Sequence, residues 1–195
     1  MKHLTLSIED VKRDLKRLGK YIESNGFQPS CIIYIKNGGY LVGKEMGNYF
    51  KVPVNGIKIS RRGNGLKTKI KFLFRIIPSF LKNFLRELEI KLQVHKIHNK
   101  RVVTQIDGNL VQGLNVLLVD DSIDTGNSIV SAVRFIKENY GESLKIQVAA
   151  LNKFNMSDEK VTTNYYIYKD TIITYPWSKD SREYKKFINM YTRSI

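Results

Sequence analysis

Residues 116–128 read Val-Leu-Leu-Val-Asp-Asp-Ser-Ile-Asp-Thr-Gly-Asn-Ser. The four apolar residues predict a short buried strand over 116–119. Such a strand delivers Asp120 and Asp121 to the carboxyl edge of a sheet, where open α/β folds bind ligands. Adjacent side chains diverge, so one carboxylate can accept hydrogen bonds from sugar hydroxyls while the other faces a magnesium ion or its waters. Asp124, Thr125, Gly126, Asn127 and Ser128 follow as a loop of small residues running into a helix predicted over 128–140. The loop's N–H groups and the helix N-terminus suit a phosphate. Thr125 and Ser128 add hydroxyl donors, and Gly126 permits the tight backbone of such a nest. The chemistry implied is the holding of a phosphorylated sugar together with magnesium.

The elements that must position this segment alternate along the chain. Ser7 and Asp10 predict a capping-box helix start, with Ile8, Val11, Leu15, Leu18 and Ile22 at helical spacing behind it. Asn25-Gly26 closes that helix. Strands are predicted over 31–35, 52–59, 102–106, 146–151 and 165–168, with helices over 40–49 and 181–191. Strands alternating with helices argue for an α/β fold, a sheet covered on both faces. A receiver domain also pairs adjacent acids after an apolar strand, but there the acids open the domain, whereas here strands precede them.

Bulk properties are compatible with one domain over residues 1–195, large enough to bury a core without staples. The single cysteine, Cys31, excludes an internal disulfide framework, and its apolar neighbours predict a buried structural thiol. No signal peptide and no transmembrane helix are predicted, so the expected location is cytoplasmic. The net charge of +15 calls for polyanionic partners but does not choose among nucleic acid, an anionic membrane and a pyrophosphorylated metabolite.

With these residues in view, the chain resembles the type I phosphoribosyltransferases, most closely the xanthine-guanine and hypoxanthine branch. The signature for phosphoribosyl pyrophosphate is residues 116–128, and weaker resemblance covers most of the chain outside 66–91. The resemblance implies a central parallel sheet flanked by helices and a small C-terminal hood over about 153–195. Lys36, Asn37, Gly38 and Gly39 resemble the family's pyrophosphate loop, although Asn37 stands where Arg or Lys is usual. Lys153 resembles the lysine that donates to the exocyclic oxygen of a 6-oxopurine. Residues 170–177 resemble the hood segment that roofs the base, placing Ile172 and Ile173 against it. Ile172 replaces the family's stacking tryptophan, and Ser178 replaces an acid. Trp177 is expected to pack rather than to serve as the base platform.

The reaction so implied displaces pyrophosphate from C1 of ribose by a nitrogen nucleophile. Asp124, by its motif position, would lie near N7 of a purine as general base. Asp120 and Asp121 would hold ribose hydroxyls and Mg2+. A mobile loop is expected over 95–104, with Lys96, Lys100 and Arg101 meeting the leaving group. The expected partners are phosphoribosyl pyrophosphate and a purine acceptor. Two further readings stay open: transfer to a non-nucleobase acceptor, and a regulator that senses phosphoribosyl pyrophosphate and binds nucleic acid.

Residues 66–91 form a separate feature. Leu73, Ile76, Ile77, Phe80, Leu81, Phe84, Leu85 and Leu88 follow helical spacing among Lys and Arg, and Pro78 divides the stretch into two helices or one kinked one. This basic helical insert is expected to pack on the domain or on another subunit of a homo-oligomer, or to lie on an anionic membrane surface. Nucleic acid is the least favoured partner, because no helix-turn-helix or RNA-reading signature is present.

Overall fold

The computed structural model describes residues 2–36, 38–61, 101–107 and 115–191. The expectations for Asn37, Lys96, Lys100 and the insert over 66–91 lie outside the described residues.

The elements in chain order are β1 (Lys2–Thr5), α1 (Ile8–Ser24), β2 (Cys31–Ile35), α2 (Tyr40–Phe50), β3 (Val54–Arg61), β4 (Arg101–Ile106), β5 (Asn115–Ile123), α3 (Asn127–Tyr140), β6 (Lys145–Lys153), β7 (Tyr165–Lys169), β8 (Thr171–Thr174) and α4 (Tyr184–Tyr191). A six-stranded sheet runs β4-β3-β2-β5-β6-β7, and β1 and β8 form a separate two-stranded ladder. Among the described residues only the β3–β4 pair is antiparallel, so the sheet is mostly parallel, as the alternation of elements predicts.

The central strands read as unbroken apolar runs because both faces are covered. In β5, Leu117 and Val119 face the core made with α1 and α2, whereas Val116 and Leu118 face the core made with α3. In β2, Ile32 joins the first core, and Cys31, Ile33 and Ile35 join the second. Burial pushes the Cys31 thiol up to about 11, which keeps it protonated and inert, as its setting predicts.

Helix α1 begins with the expected capping box: the Asp10 N–H donates to Ser7 Oγ at 3.1 Å, and the Ser7 N–H donates to Asp10 Oδ2 at 3.1 Å. Its apolar stripe is the buried face. That face also buries Asp14, which accepts a 2.5 Å hydrogen bond from the Tyr168 hydroxyl of β7 and a longer one, 3.4 Å, from Arg17.

One sequence expectation needs correction, and one pairing is new. Strand β5 does not stop at Val119 but continues to Ile123, so Asp120 and Asp121 lie within the strand. The parallel ladder to β6 continues through Asp120↔Ala150, Ser122↔Asn152 and Ile123↔Lys153, because backbone N–H and C=O groups need partners whatever side chain they carry. The pairing of β1 with β8 was not expected from sequence. Its partners are four-residue strands from opposite ends of the chain, and neither carries local sign of the other. Among the described residues, no helix is long and apolar enough to cross a membrane.

The Tyr168–Asp14 bond ties α1 to the edge of the sheet. Tyr168→Phe leaves a buried carboxylate oxygen without its hydroxyl donor and is expected to cost about 1–3 kcal/mol, measured by urea unfolding at neutral pH.

Candidate active site

The site grows from the carboxyl end of β5, which lies between β2 and β6 in the middle of the sheet. Asp120 is only 8 % exposed, and its Oδ1 accepts the Asp121 N–H at 2.9 Å. Asp121 is half-buried. Its Oδ1 accepts the Ser122 N–H at 2.7 Å, and its Oδ2 accepts the Trp177 indole N–H at 2.8 Å. Burial first, and then the neighbouring Asp121 charge, push the Asp120 carboxyl well above the usual range. Burial also raises Asp121, opposed by the hydrogen bonds from Trp177 and Ser122. The pair therefore repels a second negative charge and favours a proton or a cation.

Beyond the strand, Asp124 is exposed in the loop. Its carboxyl is raised by partial burial and lowered by the Arg101 guanidinium. Gly126 adopts the left-handed conformation, φ 72°, as N-cap of α3. A side chain there would be strained, and its Cβ would come within 2.7 Å of Val161. No side chain caps α3, so its first-turn N–H groups keep their positive end open to an anion. Two cations flank this turn. Arg101 donates to Ser128 Oγ, and Lys160 Nζ donates to Asn127 Oδ1 at 3.2 Å. Asn127 in turn donates to Thr125 Oγ1 at 3.0 Å.

A cavity of about 430 Å³ opens on these groups. The acidic pair and residues Asp124 to Ser128 form one wall, with Arg101 beside them. Phe154, Ile172, Ile173 and Tyr175 add apolar surface to the same lining. Ile172 is 40 % exposed, so it offers free hydrocarbon surface to a flat ligand. The cavity lining thus combines carboxylates, hydroxyls and backbone donors with apolar side chains.

Not every sequence-predicted residue lines it. Lys153 is 8 % exposed, and its ammonium is held by both oxygens of Asp158 at 2.7 and 2.8 Å, 4.8 Å from the Tyr166 ring centroid. Lys36 pairs with Asp107, at 2.9 Å to Oδ1 and 2.8 Å to Oδ2. Gly38 lies against Asp121: its φ is 148°, and a Cβ there would fall 2.3 Å from Asp121 Oδ2. Gly39 starts α2 with its backbone packed on Ile35, where a Cβ would meet the carbonyl oxygen at 2.7 Å. Arg101, expected in a loop, instead opens strand β4, and its guanidinium donates to Ser128 Oγ at the start of α3.

Sequence reasoning missed Phe154, Tyr175 and Lys160. Phe154 had a visible signal, since it directly follows the singled-out Lys153. Lys160 had none, because its approach to Asn127 depends on the turn after β6.

Comparison with known proteins agrees with this geometry. Residues 6–183 match the phosphoribosyl transferase domain. Several solved structures share the fold. A purine phosphoribosyltransferase from Pyrococcus horikoshii aligns with TM-score 0.64 at 19 % identity, over 93 % of this chain and 97 % of that one. A Helicobacter pylori xanthine-guanine-hypoxanthine phosphoribosyltransferase aligns with TM-score 0.61 at 16 % identity, over 97 % and 99 %. A hypothetical protein from Neisseria gonorrhoeae with bound ppGpp aligns with TM-score 0.60 at 15 % identity, over 100 % and 98 %. No curated protein sequence matches the chain.

The buried acid pair has a consequence for stability. Asp120 is raised in the folded state, so below its ordinary value of 3.8 it is neutral in both states and costs nothing. As pH rises past that value the unfolded chain ionises first, and the fold loses stability. Asp120→Asn is therefore expected to melt higher than the wild type at pH 7, by roughly 2–4 °C per kcal/mol relieved. In thermal melts without ligand the gap should close as pH falls toward 4, the ordinary aspartate range.

Proposed function

The chain belongs to the phosphoribosyl transferase domain family and is a phosphoribosyltransferase; from that premise we propose that it transfers 5-phosphoribose from phosphoribosyl pyrophosphate to a 6-oxopurine, releasing pyrophosphate. The observation that carries this reading is one cavity whose lining combines the acid pair, the uncapped start of α3 and apolar side chains.

In this reading the 5-phosphate occupies the turn made by Thr125, Gly126, Asn127 and Ser128, where N–H groups, hydroxyls and flanking cations offset its charge. Asp120 and Asp121 accept the ribose hydroxyls. The pyrophosphate lies toward Gly38 and Gly39, with Lys36, Asn37 and Lys100 as the cationic and polar groups proposed around it, and Arg101 between the two phosphate regions. A purine ring rests on Ile172, Ile173 and Phe154. Asp124 takes the proton from the attacking heterocycle, and partial burial suits it to that work by raising its basicity. The reaction needs no covalent enzyme intermediate: the protein positions two ligands and stabilises charge at the ribosyl carbon.

Magnesium is the proposed companion ion, and Asp120 and Asp121 would hold it directly or through water. The donor set suits it: two successive carboxylates, one pushed well above its usual range, gain from a cation. Among the described residues no group of three His, Cys, Asp or Glu side chains forms a metal site, so ligand and water oxygens would complete the coordination. When bound, the ion would neutralise charge on the departing pyrophosphate.

Lys153 is the proposed donor to the 6-oxo group, a role that requires its ammonium to turn from Asp158. That ion pair favours a second reading, the same transfer to an acceptor other than a nucleobase.

Pyrophosphate release from magnesium and phosphoribosyl pyrophosphate with a panel of purines tests the acceptor. Release with 6-oxopurines alone is expected; silence across the panel would favour the second reading. Asp124→Asn is expected to lower kcat by about 10²-fold or more while calorimetry finds phosphoribosyl pyrophosphate binding retained.

A further inference from the structure

Trp177 follows the acceptor wall in sequence but does not line the cavity. Its indole N–H is spent on Asp121 Oδ2 at 2.8 Å. The ring lies flat on Tyr175, with centroids 4.7 Å apart and planes 5° from parallel, and packs at 5.5 Å on Phe187 of α4. Tyr175 contributes to both regions. It lines the cavity, and its hydroxyl donates to the Asp121 carbonyl oxygen at 3.0 Å and lies 3.0 Å from Ser122 Oγ. The hood is thus bonded to the backbone and to the carboxylate of the second acid of the pair.

The carboxylate is confined on three sides. Ser122 N–H holds one oxygen, Trp177 holds the other, and Gly38 is packed where any side chain would collide with it. Removing the indole N–H would free one oxygen of a carboxylate proposed to hold ribose and magnesium.

We propose that Trp177 is a positioning residue: acting through Asp121, it fixes the carboxylate for the magnesium-loaded phosphosugar and couples that half of the site to the hood. The proposal rests on the assignment of phosphoribosyl pyrophosphate to this cavity. Trp177 is also the chain's single tryptophan, so its emission reports directly on the carboxylate it touches.

Calorimetric titration of magnesium phosphoribosyl pyrophosphate into wild type, Trp177→Phe, Asp121→Asn and the double variant tests it. Phenylalanine keeps an aromatic ring on Tyr175 and Phe187 but removes the donor. The expected result is binding weakened about tenfold in Trp177→Phe, the scale of a hydrogen bond to a charged group, and no further loss when it is added to Asp121→Asn. In the wild type, the ligand should shift indole emission. Wild-type affinity in Trp177→Phe, or a loss that adds in full to that of Asp121→Asn, would overturn the proposal. Should Trp177→Phe fail to fold, the unmodified protein decides: unchanged emission at saturating ligand overturns the coupling. A wild type that binds no ligand would overturn the function assigned to the cavity as well, so the two failures are distinguishable.

Discussion

Two carboxylates on successive residues at the buried end of the central strand are the constraint around which the rest is arranged. Each charge taken from water must be met by donors or a counter-ion, and two together repel. Among the described residues, the protein supplies N–H donors from Asp121, Ser122 and Trp177 to these carboxylates. Neutral donors orient the carboxylates without cancelling them. The remaining negative potential suits a cation that arrives with its ligand, while the opposite potential gathers at the start of α3, beside Arg101 and Lys160. Within one cavity the two signs are set side by side, which matches a ligand bearing hydroxyls and a metal at one end and phosphate at the other.

This arrangement depends on parallel strands packed on both faces. Parallel strands share one carboxyl edge, and the β2–β5–β6 ladder brings the β5 acids, the start of α2 and the Lys153 end of β6 to that edge together. The close packing of Gly38 on Asp121 follows from the same geometry. The loop after β2 passes against the neighbouring strand β5, and a side chain at Gly38 would collide with the Asp121 carboxylate.

Much of the architecture was legible in the sequence because its signals are local. The stripe of α1 and its Ser7–Asp10 cap, the apolar run of β2 and the loop from Asp124 to Ser128 each declare themselves within a few residues. The structure brings the acid pair, the loop, Ile172 and Ile173 together in the lining of one cavity. What could not be read depends on distant partners. Tyr168 reaching Asp14, Trp177 reaching Asp121 and β1 pairing with β8 join segments far apart in the chain. Lys153 shows the limit in another way: its position at the end of β6 was plain, but its ion pair with Asp158 turns on the conformation of the following 3-10 turn at Asn155–Ser157.

The ladder between β1 and β8 separates scaffold from surface. Strand β8 is held by main-chain bonds running from Lys2↔Thr171 to Thr5↔Thr174 and continued by the Leu6 N–H to the Thr174 carbonyl. Such bonds are indifferent to side-chain identity, and Ile172, the most exposed of its wall, is not fixed by core packing. Evolution is therefore free to rewrite residue 172 without unpicking the strand that carries it.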